Sequence, residues 1–168
     1  MSRDAMAAAK PRAHAASTSS RRKKEDDDNA DELVGDLFDA ISDGNAKHVA
    51  FILKEAKKVH TLLNKKDLQG LTPLRKAIAL SKAEIARLLV QHGASPNARD
   101  PQGLTPLRKA IALSKAEIAR LLVQHGASPN ARDPLGKTPL HTAVMMGRRE
   151  LLAPLLVSVD SSVNVQDK

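Results

Sequence analysis

Six histidines and nineteen carboxylates are the residues of this chain best able to move protons or hold a metal. Their spacing does not gather them into a site. His92 and His125 are one residue of a sequence written twice, 33 positions apart. If each copy forms one packed layer, about 10 Å separates them, too far to share a metal ion. The pairs Arg99-Asp100 and Arg132-Asp133 recur at the same interval, which suits a stabiliser of a repeated turn better than an acid/base pair. No P-loop, dinucleotide fingerprint or His-Glu-x-x-His pattern is present. The absence of cysteine removes disulfides and thiolate zinc sites. These residues predict no catalytic set, no cofactor and no metal, and the chain reads as a non-enzyme.

The elements that must position them come from the repeat itself. The segment GLTPLRKAIALSKAEIARLLVQHGASPNARDP runs from Gly70 to Pro101 and again from Gly103 to Pro134. A fixed period of this size marks stacked supersecondary units, each burying its apolar face only against its neighbours. Ala, Leu and Ile dominate the apolar set and aromatics are 1 % of the chain, which suits short helices packed closely in layers.

Within a unit, Thr72-Pro73 predicts a helix start, with Thr72 as N-cap and Pro73 at the first helical position. Leu74, Ala77 and Ile78 share one face, and the helix should end near Leu80. Ser81 followed three residues later by Glu84 fits a capping box for a second helix. Its buried stripe is Ile85, Leu88 and Leu89, and Gly93 supplies the left-handed stop. Between Ala94 and Leu104 the chain carries Ser, Pro, Asn, Asp and Gly, the residues of turns. Upstream, Leu33, Val34, Leu37, Phe38 and Ile41, then Val49, Ile52, Leu53 and Ala56, predict a helix pair, followed by a basic linker with Lys57, Lys58, Lys65 and Lys66.

Residues 1–30 lack Leu, Ile, Val and Phe and are expected to form a disordered tail. Arg21-Arg22-Lys23-Lys24 inside it is a weak import signal, neutralised in place by Glu25 to Asp28. The net charge of +8 is therefore carried by residues 36–168, with 20 basic against 12 acidic residues. No apolar run is long enough to cross a bilayer. A soluble chain in the cytoplasm or the nucleus is expected, with oligomeric state left open.

The pattern D-x-x-G-x-T-P-L, helix, turn, a second helix ending L-L-x-x-x-G-A, then x-x-N-A resembles the ankyrin repeat. Asp67, Gly70, Thr72, Pro73, Leu74, Ala77, Glu84, Ile85, Leu88, Leu89, Gly93, Ala94 and Asn97 match, and the second unit repeats them from Asp100 to Asn130. A third unit from Asp133 keeps Gly136, Thr138-Pro139-Leu140-His141, Ala143, Gly147, Glu150, Leu151, Leu155, Leu156 and Asn164. The resemblance implies an all-α solenoid of about four stacked repeats, near 31–66, 67–99, 100–132 and 133–168. Three departures stand out. Arg75 and Arg108 replace the family's usual His, which only His141 keeps, so the arginine units should lose that tie to the threonine. Ser81 and Ser114 replace a Gly between the helices. Pro154 falls inside the last helix, which should be kinked or shortened. Leu151, Leu152, Leu155 and Leu156 there, with no polar capping repeat, predict a longer array or an end covered by something else.

The resemblance also implies a concave face that binds other proteins, lined by hairpin tips and the exposed ends of first helices. On this sequence those positions include Leu68, Leu71 and Leu80, then Leu104 and Leu113, then Leu135, Met145 and Met146. They form an apolar strip rimmed by Arg75, Lys76, Lys82 and their copies such as Arg108, suited to a peptide or helix with acidic residues beside apolar anchors. The plainer reading is that Leu80 and Leu113 pack under the next hairpin. A second function class is structural, because identity extends to exposed positions such as Lys76 and Gln91 and points to a recent or deliberate duplication. Nucleic-acid binding by the basic face lacks stacking aromatics, with only Phe38 and Phe51 available.

Overall fold

A computed structural model describes residues 32–163, with side chains placed through residue 157. The tail expected over residues 1–30 lies outside the described residues. Nine helices and no strand occur among the described residues. They are α1 over 32–43, α2 Ala46–Glu55, α3 Val59–Asn64, α4 Pro73–Ala79, α5 Ala83–Gln91, α6 Pro106–Ala112, α7 Ala116–Gln124, α8 Pro139–Met145 and α9 Arg149–Val163. The pairs α1/α2, α4/α5, α6/α7 and α8/α9 form successive layers. First helices pack on first helices, α4 on α6 and α6 on α8; second helices pack as α2 on α5, α5 on α7 and α7 on α9. Helices of seven to ten residues are marginal alone. The continuous core from Leu37 to Leu155 is what holds them.

Each first helix ends in the same way. The Ser81 N–H donates to the Ile78 carbonyl at 3.1 Å and the Lys82 N–H to Ala77 at 2.9 Å, the paired bonds of a Schellman stop. The bonds recur at Ser114, Gly44 and Gly147, which puts the four layers in register: Gly44, Ser81, Ser114 and Gly147 are equivalent. This corrects the capping box expected of Ser81 and Glu84. Ser81 and Ser114 stand at φ 61° and 59°, in the left-handed region the stop demands. Lys82 and Lys115 take the N-cap position of the next helix without a side-chain bond.

Two further expectations are corrected. The basic linker contains α3, whose Leu62 and Leu63 are buried; Val59, Leu62 and Leu63 keep helical spacing between flanking lysines. Of the kink or shortening expected at Pro154, the shortening does not occur: the last helix runs 15 residues with Pro154 inside it. Pro154 cannot donate to the Glu150 carbonyl four residues back, and the Arg120 guanidinium donates to that oxygen at 3.3 Å instead.

A non-glycine residue in the left-handed region costs about 1–2 kcal/mol, partly offset on replacement by glycine's greater unfolded-state entropy. Ser81→Gly and Ser114→Gly should therefore each stabilise the array by about 0.5–1 kcal/mol, read as a higher urea midpoint with an unchanged slope. An unmoved midpoint would show that the serines are not strained.

Candidate interaction face

The site is built on the hairpins. Asp67, Asp100 and Asp133 each close one: the Asp100 Oδ1 accepts from the Leu104 N–H at 2.7 Å, and Gly103 donates back to the Asp100 carbonyl at 2.8 Å. Gly70, Gly103 and Gly136 follow at φ 76°, 74° and 73°, where a side chain would be strained. The second carboxylate oxygen looks toward the preceding layer. Arg75, 4 % exposed, reaches from α4 to the Asp100 Oδ2 at 2.9 Å, to the Ala98 carbonyl at 3.0 Å and to the Leu104 carbonyl. Arg108 does the same from α6 to Asp133. Asn97 adds a second bridge, donating to the Gly126 carbonyl at 2.9 Å and accepting from the Ser128 N–H at 2.8 Å.

The rim expected of Arg75 and Arg108 is thus corrected. Their guanidiniums are held inside the array, and the side-chain tie to the threonine is absent from the arginine units, as expected; a charge-assisted bond to the next repeat stands in its place. Burial pushes the Arg75 pKa down, and Asp100 pulls it back up; the guanidinium stays protonated. His141 keeps the local arrangement, its Nδ1 accepting from the Thr138 N–H at 3.2 Å while Thr138 Oγ1 accepts from the His141 N–H at 3.4 Å. In the first layer Phe38 is equivalent to Arg75 and is buried. Asp67 therefore takes Lys76 of its own repeat at 3.3 Å, and that ammonium also sits 6.0 Å from the Phe38 ring centroid.

What remains outside is apolar. Leu80, Leu113 and Met146 are the C-cap residues of α4, α6 and α8, exposed at 41 %, 37 % and 45 %. Because these helices pack side by side, the three form a row with a rise of about 8–10 Å per layer. Met145, Leu68 and Leu135 are also exposed, whereas Leu71 and Leu104 are half-buried behind the hairpin glycines. Lys82, Lys109 and Lys115 lie half-buried, with no carboxylate partner among the described residues. Lys109 is unpaired because Arg75 already occupies Asp100, the counterpart of the Asp67 that holds Lys76. Lys109 and Lys115, the copies of Lys76 and Lys82, belong to the rim expected from the sequence; what sequence reasoning missed is the pairing of Arg75 with Asp100 and of Arg108 with Asp133, for which the 25-residue spacing was the available signal.

The histidines of the doubled unit are local, with His92 Nδ1 2.8 Å from the Leu88 carbonyl and His125 Nδ1 2.9 Å from that of Leu121. Among the described residues no group of three His, Asp or Glu could hold a metal ion, and no helix is long and apolar enough to cross a membrane. The sequence matches the family described as Ankyrin repeats (3 copies), over residues 37–133 and 97–167. The chain belongs to the ankyrin repeat family. No curated protein sequence matches it. Ankyrin repeats generally mediate protein–protein interaction and are typically without catalysis, and this array is an all-α member.

The hairpin carboxylates can be tested directly. Removing Arg75 leaves Asp100 without its partner, so Arg75→Ala should cost about 2–4 kcal/mol, while exposed Arg87→Ala should stay within about 0.5 kcal/mol; urea unfolding measures both. For Asp67, burial opposes ionisation, but the N–H groups of Leu71 and Gln69 and the Lys76 ammonium outweigh it and hold the pKa below the ordinary value. A depressed folded pKa contributes stability above the unfolded value of about 3.9, lost as pH falls through the folded one. The stability difference between the native chain and Asp67→Asn should therefore shrink as pH is taken from about 6 to below 3, and a constant difference would exclude Asp67 from the acid limb.

Proposed function

We propose that this array is a non-enzymatic interaction module that binds a protein segment across its first helices and hairpins. The observation that carries this reading is the exposed row of Leu80, Leu113 and Met146. A C-cap turn imposes no requirement for large apolar side chains there, and the Schellman bonds are made by backbone alone. Lys82, Lys109 and Lys115 lie in the same layers with uncompensated charge, so the segment favoured is one with apolar anchors flanked by Asp or Glu. Basic surface without stacking aromatics gives nucleic acid little to hold beyond phosphate contacts. A structural role for the duplicated layer is the second reading, supported by the identity of exposed Arg87 with Arg120 and of Gln91 with Gln124.

Selection of segments from a displayed peptide library against the intact chain supplies a defined ligand. The double variant Leu80→Ser, Leu113→Ser should weaken its binding by about 30–150-fold, since two anchors of roughly 1–1.5 kcal/mol are removed. Its urea midpoint should hold nearly constant. Unchanged affinity beside a lowered midpoint would mean that the leucines serve packing and the binding strip is not there.

A further inference from the structure

The exposed row on the first helices has a fixed step. Leu80, Leu113 and Met146 close α4, α6 and α8, so each stands one layer, about 8–10 Å, from the next. Two residues after each comes a half-buried cation, Lys82, Lys115 or Arg148. None of the three is in an ion pair among the described residues, and the Arg148 Nε is buried without a hydrogen-bond partner. The acids nearest in sequence, Glu84, Glu117 and Glu150, lie in the first turns of the second helices, where the free N–H groups of a helix start already favour them.

The first layer breaks the series. With Gly44 in register with Ser81, it carries exposed Asp43 at the place of Leu80 and Asn45 at that of Lys82. The row therefore has three rungs, over α4, α6 and α8. Lys82 reaches back from the first of them, its ammonium 2.6 Å from where a Cβ on Gly44 would stand, so its charge falls between layers rather than on the row. Two of the rungs come from identical sequence and offer the same groups. A segment that follows the row must repeat as well, with an apolar side chain at each step and an acid between.

The length of the step selects a conformation. A β-strand returns to one face about every 6.6–6.8 Å, well short of it. An α-helix returns at about 5.4 Å per turn and at about 10.5 Å per seven residues, beyond the step, so the mismatch grows with each layer. Polyproline II completes a turn in three residues and about 9.3 Å. We infer that the face takes a polyproline II segment with a large apolar residue at every third position and Asp or Glu between, one triplet per layer. This rests on the interaction module proposed above and adds its ligand's period, conformation and length, about nine residues. Such a segment is extended before it binds and gives up little conformational freedom. Its backbone stays solvated, which suits a face of helix ends with no strand edge to pair with among the described residues.

Calorimetric titration of the full chain with synthetic peptides reads the period. The probe is the triplet Leu-Glu-Pro repeated three times, in which proline favours polyproline II. One control has the same residues with leucine at alternate positions; the other is a helical peptide with leucines seven apart and alanine for proline. The triplet peptide should bind at least about tenfold tighter than either control, and going from two triplets to three should strengthen it about 5–10-fold, the worth of one more leucine anchor. A fourth triplet should add no more than about twofold, the factor for sliding by one layer. Glutamine in place of glutamate should weaken it about 3–10-fold in dilute salt, a gap that closes at high salt. Leu80→Ser with Leu113→Ser should abolish the preference for the triplet peptide. Equal binding of all three peptides, a gain that continues past the third triplet, or indifference to the glutamates would each overturn the inference, as would triplet binding that is absent or untouched by the double variant. The interaction module itself falls only if the library-selected ligand also ignores those leucines.

Discussion

One carboxylate per hairpin acts in two directions, and the stack depends on both. Asp100 closes its own turn with one oxygen and receives the arginine of the previous layer with the other; Asp133 repeats the arrangement. A short helix pair gains little from being folded alone, so the bond that fastens it to a neighbour is also what makes its turn worth forming. This is the linear logic of a repeat array, in which interfaces carry what individual units cannot. Arginine suits this position because its planar fork satisfies a carboxylate and two carbonyls together, as Arg75 does with Asp100, Ala98 and Leu104.

The first and last layers show what happens where that bond is unavailable. Phe38 fills the arginine's place with apolar volume, and Lys76 moves onto Asp67. In the last layer His141 turns to Thr138 and forms the reciprocal cap that Arg75 and Arg108 do not. The two identical units therefore sit between layers that fill the arginine's place in two different ways. Their own helices are the ones that carry strained serines at the stop, so they lean most on their neighbours.

Much of this was legible in the sequence because it is written in period and punctuation. Thr72-Pro73, Gly93 and the Leu74, Ala77, Ile78 stripe mark helix limits and buried faces by local rules, and the helices end where those residues say. The errors are those of residues that obey two local rules at once. Ser81 fits an N-cap for the helix after it and a left-handed stop for the helix before it, and tertiary register chose the second. Arg75 looks like surface because arginine usually is; only the fold brings a residue 25 positions away close enough to pair with it. The helix α3 was hidden by four lysines around a short apolar run, and the long α9 by a proline whose orphaned carbonyl is met from another layer. For the interaction face, the sequence located the exposed leucines and methionines and the lysines of the rim, while the arginines placed beside them are used up in bonds to the next layer.

The bridges between layers also have a position. Arg75 to Asp100, Arg108 to Asp133, Asn97 to Gly126 and Arg99 to the Arg132 carbonyl at 2.7 Å all join one layer to the hairpin region of the next. Toward the helix–helix turns, apolar contact prevails, with Arg120 on Glu150 as the exception. Apolar contact is non-directional and tolerates sliding, whereas charge-assisted bonds fix distance. The array is therefore fastened by directional bonds along one margin and by apolar contact along the other, like a book bound at its spine, with Leu80, Leu113 and Met146 placed at the helix–helix turns.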